Sequence, residues 1–136
     1  MNNHLLLRTV CLVALPFIFL FGLYVLFHGK VSAGGGFQSG AIWATGLILH
    51  SLVFSATETK KIISVKTLQY IACFGVILYS GVGLLMVVLG GRFLEYNAMF
   101  SSEMQSQFTG IMLVEVGVHL TVFAILSLIY WRLLRE

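Results

Sequence analysis

Four long stretches of this 136-residue chain contain no Asp, Glu, Lys or Arg, apart from a single acid in the last. They run over 9–29, 31–57, 67–91 and 104–131, and the exception is Glu115. A helix needs about 20 apolar residues to cross a ~30 Å hydrocarbon core, and each stretch is long enough. What lies between them is too short to form a soluble domain. Only 10% of residues are charged and 59% are hydrophobic, against roughly 25% charged in a soluble domain, so a water-facing shell cannot be built. The expected fold is therefore an all-α membrane protein, a single four-helix domain with spans near 9–27, 36–54, 68–89 and 108–130.

Cation placement sets the expected orientation. Arg8, Lys60, Lys61, Lys66, Arg132 and Arg135 fall on one side of such a fold, and Lys30 and Arg92 on the other. By the positive-inside rule both termini are expected to be cytoplasmic, with the chain multi-pass in a bacterial or archaeal cytoplasmic membrane. The first stretch exceeds the 7–15 residues of a signal-peptide core, so it reads as a true span. The cations form no clustered footprint of the kind nucleic acid needs, and the three loop lysines read as a solvated face. Cys11 and Cys73 lack metal-ligand spacing and read as small buried apolar residues. No nucleophile–base pair or paired carboxylates appear, so neither an enzyme, a cofactor nor a metal site is expected.

The second span is the least oily, and Gly36, Gly40 and Ala44 repeat along it at four-residue spacing. Such a small-residue face lets helices approach closely, so this helix should be covered by protein. The third span carries Gly75, Gly81 and Gly83, which suit the same purpose, and Pro16 should kink the first. Tyr130 and Trp131, followed by Arg132, read as an interfacial aromatic anchor. Ahead of the second span, Gly34, Gly35, Gly36, Phe37, Gln38 and Gly40 form a tight re-entry turn, where glycine permits positive φ and close backbone contact. No strand or lysine accompanies them, which argues against a phosphate loop.

Glu115 is the only acid inside a span, at a cost of about 2.5–3.5 kcal/mol that the surrounding apolar residues offset. His119 lies one turn on, about 6 Å away along the same face, and His50 lies in the second span. A partial polar file of Glu115, His119 and His50 is therefore a candidate ion or proton path. The alternative is that these side chains only hold helix register.

The Gly-Gly-Gly-Phe-Gln-x-Gly run (34–40) after a hydrophobic span resembles the MnhB family, one of the small subunits of the Mrp-type multisubunit sodium/proton antiporters. The 114–120 run, Val-Glu-Val-Gly-Val-His-Leu, is similar to that family's last-helix signature. The sequence departs from the family pattern at Lys30, Val31, Ala33, Arg92, Glu115 and His119. The resemblance implies an accessory subunit in a complex with other hydrophobic subunits, with sodium ions and protons as cargo. Two other readings stay open: a structural subunit of a redox-driven complex such as a membrane-bound hydrogenase, and a small homodimeric exporter.

Overall fold

The computed structural model describes residues 2–29, 34–98 and 103–134. Lys30, Val31, Ala33 and Arg135 lie outside the described residues. Among the described residues five α-helices follow one another: α1 (Asn2–His28), α2 (Gly35–Phe54), α3 (Ala56–Ile62), α4 (Val65–Val88) and α5 (Glu103–Leu133), with a 3-10 turn at Tyr96–Ala98. Four of them, all but α3, are long and apolar enough to cross a membrane. The all-α, four-span expectation holds. In lipid every backbone N–H and C=O must be satisfied within its own segment, which leaves the helix as the form these stretches can take.

The short α3 was not anticipated. Its start is a sharp break at Ser55, whose φ of 87° lies in the region that favours glycine. The Ser55 carbonyl compensates by accepting from both the Thr59 backbone N–H and the Thr59 hydroxyl. Ser64 then caps α4 by accepting from the Thr67 amide at 3.1 Å. α1 runs without interruption through Pro16, which lies on its exposed side.

The spans pack in a row, not a closed bundle: α1 against α2, α2 against α5, and α5 against α4. α1 and α4 form its two ends. Among the described residues of α1, Cys11, Leu15, Gly22 and Leu26 are buried, and Gly22 lies against Trp43 and Ile42 of α2. α2 and α5 run parallel at a constant register: Gly36 lies against Glu115, Gly40 against His119, and Ser51 against Tyr130. A methyl group on Gly40 would sit 2.6 Å from the His119 carbonyl oxygen, so the two backbones touch directly. Ala44 and Leu47 continue this seam into a core with Leu68, Ala72, Phe123, Ala124 and Trp131. α4 crosses α5 where Gly75 and Gly117 face each other.

Three expectations change. Gly81 faces open space and packs against nothing, because only Gly75 and Gly83 lie where a neighbour approaches. Cys73 is exposed on the outer flank of α4, one position along from the buried Ala72, so only Cys11 is buried. Trp131 is 2% exposed beneath α3, not spread in an interfacial belt. Replacing Gly40 with Val should overpack the α2–α5 seam and cost about 1–3 kcal/mol, seen as a lower midpoint in thermal unfolding of the detergent-solubilised protein. Gly81→Ala should leave the midpoint unchanged or raise it.

Candidate functional site

The α2–α5 seam positions the polar residues. Gly34, at φ +94°, turns the chain into α2. Gly35 then lies against the backbone of Val25 and Gly29 at the end of α1, and Gly36 against the backbone of Glu115. The Glu115 carboxylate packs on Gly29, where a Cβ would collide with both of its oxygens. Gly29 thus leaves room for the carboxylate, while Gly35 and Gly36 let the backbone of the turn close on α1 and α5. The α1–α2 turn sits at the level of Glu115, while α5 begins about 18 Å farther along at 1.5 Å per residue. The α4–α5 hairpin therefore projects past this turn. Its tip is closed by Phe93 packed on Gly83 and Tyr96 packed on Gly110.

His119 turns away from Glu115 toward α2. Its Nδ1 lies 2.8 Å from the Ser39 Oγ, and that hydroxyl donates to the Gly36 carbonyl at 3.0 Å. A hydroxyl has one proton to give, so this network assigns the donor in the His119 contact to Nδ1–H. The imidazole meets Trp43 edge-on at 4.7 Å, and the Trp43 indole donates to the Phe19 carbonyl on α1 at 3.0 Å. Ser39 and His119 are 0% and 3% exposed, so one buried bond ties α2 to α5 at a single register.

His50 repeats this arrangement at the other end of α2. Its Nδ1 lies 2.7 Å from the Thr59 hydroxyl, which donates to the Ser55 carbonyl. Its ring stacks on Phe54.

The three residues expected as a file lie at different places along the fold: Glu115 beside Gly29 and the glycine turn, His119 on Ser39, and His50 on Thr59. Between His119 and His50 lies the apolar core of Ala44, Leu47, Phe123 and Ala124. Phe37 and Gln38 point outward and take no part in the turn's packing. Ser39, inside the same motif, makes its key bond. A serine one turn before a half-buried tryptophan gave no chemical signal in sequence, because its partner lies 80 residues away.

Tyr96 also went unnoticed. Burial pushes its phenol above the ordinary value, and Tyr79 and Glu115 push the same way. Both groups therefore lie within electrostatic reach of Tyr96 on the α4–α5 hairpin.

Ser39→Ala should leave a buried His119 nitrogen unpaired and cost about 1–3 kcal/mol, read as a lower unfolding midpoint. Thr45→Val should be near neutral, since that exposed hydroxyl bonds only carbonyls of its own helix. Above pH 10.0 an unfolded Tyr96 ionises while the folded one stays protonated, so stability falls as pH rises through that window. Absorbance titration should show a late-ionising component that Tyr96→Phe removes.

Comparison with known proteins bears on this geometry. Residues 6–128 match the family described as a domain related to the MnhB subunit of Na+/H+ antiporter. A provisionally named antiporter subunit mnhB2 of Staphylococcus haemolyticus is 30% identical over 128 residues, covering 92% of this chain and 90% of the relative. Its counterpart in Staphylococcus epidermidis is 28% identical with the same coverage. The one in Staphylococcus aureus is 28% identical over 136 residues, covering 93% and 96%. The matched region takes in the glycine turn, Ser39, Glu115 and His119, and the chain belongs to the family of domains related to the MnhB subunit of Na+/H+ antiporters.

Proposed function

We propose that this chain is an accessory subunit of a multisubunit sodium/proton antiporter in a bacterial cytoplasmic membrane, with both termini cytoplasmic. It contributes to assembly, and it lends Glu115 to an ion or proton route that another subunit completes. The observation that carries this reading is the interruption of the polar groups by the apolar core of Ala44, Leu47, Phe123 and Ala124. Between His119 and His50 a proton would have to cross that core, so a route through this histidine pair alone would be broken mid-membrane.

The open row of helices supports the assembly role. α1 exposes Phe17, Leu20, Phe21, Tyr24 and Phe27, and α4 exposes Phe74, Ile77 and Leu84. Both end helices thus present apolar flanks to which neighbouring subunits can pack. In this reading His119 and Ser39 hold α2 and α5 in register, and the register holds Glu115 beside the glycine turn. His119 is then a positioning residue, with Glu115 as the group that takes and releases the proton. The chain's family is one of transporter subunits, and the arrangement asks nothing of it as an enzyme.

Glu115→Gln keeps the shape of the side chain and removes its proton chemistry. In everted vesicles carrying the whole complex, the variant should assemble at the wild-type level and lose most of its sodium-driven proton exchange. Full exchange with full assembly would remove Glu115 from the route and leave a structural role. Loss of assembly together with exchange would also count against the route.

A further inference from the structure

The cation-rich end of the molecule holds a small cavity of about 50 Å³ that the antiporter reading does not use. It is lined by Lys60 of α3, Val65 of α4, and Leu128, Trp131 and Arg132 of α5. The Lys60 ammonium lies 5.7 Å from the centroid of the Trp131 ring. Trp131 is 2% exposed, and among the described residues its indole Nε1 is buried without an acceptor. The nearby acid is already engaged, since Glu58 pairs with Lys61 at 2.7 Å. Lys60 and Arg132 have no carboxylate partner among the described residues. All three polar side chains around this cavity are donors only. A buried N–H and two unpaired cations call for a compact anion rich in acceptors, and the volume suits one phosphate-sized group.

What lies beside the cavity identifies the source of that phosphate. An apolar groove of about 430 Å³ runs between α4 and α5, lined by residues that include Ala72, Cys73, Val76, Thr121 and Ile125. Ala72 lies two turns from Val65 on one face of α4, and Thr121 two turns from Leu128 on one face of α5. The groove therefore continues the cationic cavity toward the middle of the membrane. A free anion would have no use for such a groove, whereas a phospholipid carries its phosphate and its acyl chains in this order and direction. Basic pockets between spans at the membrane surface hold anionic headgroups in this way.

We infer that the α4–α5 flank binds one anionic phospholipid, its phosphate held by Lys60, Arg132 and the Trp131 indole and one acyl chain lying in the groove of Ala72, Cys73 and Ile125. The lipid supplies the acceptor that Trp131 lacks. The site also explains why the anchor-like Trp131 lies buried under α3. Lys60 folds over the tryptophan and closes the headgroup pocket from the water side.

Native mass spectrometry of the full chain in mild detergent tests this, with phosphatidylglycerol and phosphatidylcholine offered at equal concentration. The wild type should retain one phosphatidylglycerol in preference to phosphatidylcholine. Preference should fall roughly fivefold for each cation removed in Lys60→Gln and Arg132→Gln, and it should fall in Trp131→Phe, which keeps the ring and removes the N–H. Lys66→Gln, on the same membrane face but off the cavity, should behave as wild type. Ile125→Trp, which fills the groove, should weaken phosphatidylglycerol binding with both cations intact. Equal loss in Lys66→Gln would reduce the effect to diffuse surface charge and overturn the site. Displacement of the lipid by millimolar inorganic phosphate would assign the cavity to free anions and overturn the lipid reading. Absence of any lipid preference in wild type would do the same, leaving the pocket to a partner's carboxylate. Circular dichroism of each variant verifies that helicity is retained. None of these outcomes depends on Glu115 or on ion exchange.

Discussion

Direct backbone contact between α2 and α5 is the constraint on which the remaining geometry depends. Inside a bilayer, apolar side chains gain nothing by leaving lipid for one another, so helices associate through close van der Waals packing and hydrogen bonds. Gly36, Gly40 and Ala44 remove the side chains that would hold the helices apart, and carbonyls of α5 come to rest on the bare Cα atoms. A parallel register follows, in which Ser39 meets His119 and Ser51 meets Tyr130. The Glu115 carboxylate reaches Gly29 only because α2 lies this close.

That seam is also where the polar groups are made tolerable to a low-dielectric surrounding. Ser39 and Thr59 each give their proton to a carbonyl and receive one from a histidine. Ser127, Thr121 and Thr45 return theirs to carbonyls of their own helices. Each hydroxyl is satisfied locally, which avoids the cost of an unpaired polar group in the membrane. Polar groups thus gather toward each end of α2, with an apolar core between them.

The row arrangement has its own physical origin. α2 turns its small-residue face to the backbone of α5, and each of the two has one further face for a neighbour, α1 and α4 respectively. α1 and α4 form the two ends of the row, and their outer flanks are apolar and exposed, as are the large aromatics along α1. The same openness leaves the α4–α5 groove accessible from the membrane, with donors at its cation-rich end. Membership of a family of antiporter subunits gives these flanks a natural context in a larger assembly.

The number of spans, their all-helical form and the crowded second helix were legible in the chain, because solubility and backbone satisfaction in lipid depend on composition and on spacing within one segment. So were the glycine turn and the family that its motif and the 114–120 run indicate. Which helix covers the Gly36–Gly40–Ala44 face was not legible, since a small-residue stripe states that something approaches and carries no name for it. The same limit applies to Glu115 and His119. Spacing of four along a helix brings two Cα atoms to one face, but the partner of each side chain is set across the interface, as Ser39 is for His119. Sequence by itself determined that this chain must live in a membrane with its glycines in close contact; only the tertiary structure decided which groups those contacts bring together, because hydrogen-bond partners 80 residues apart are chosen by register between helices and by nothing local to either.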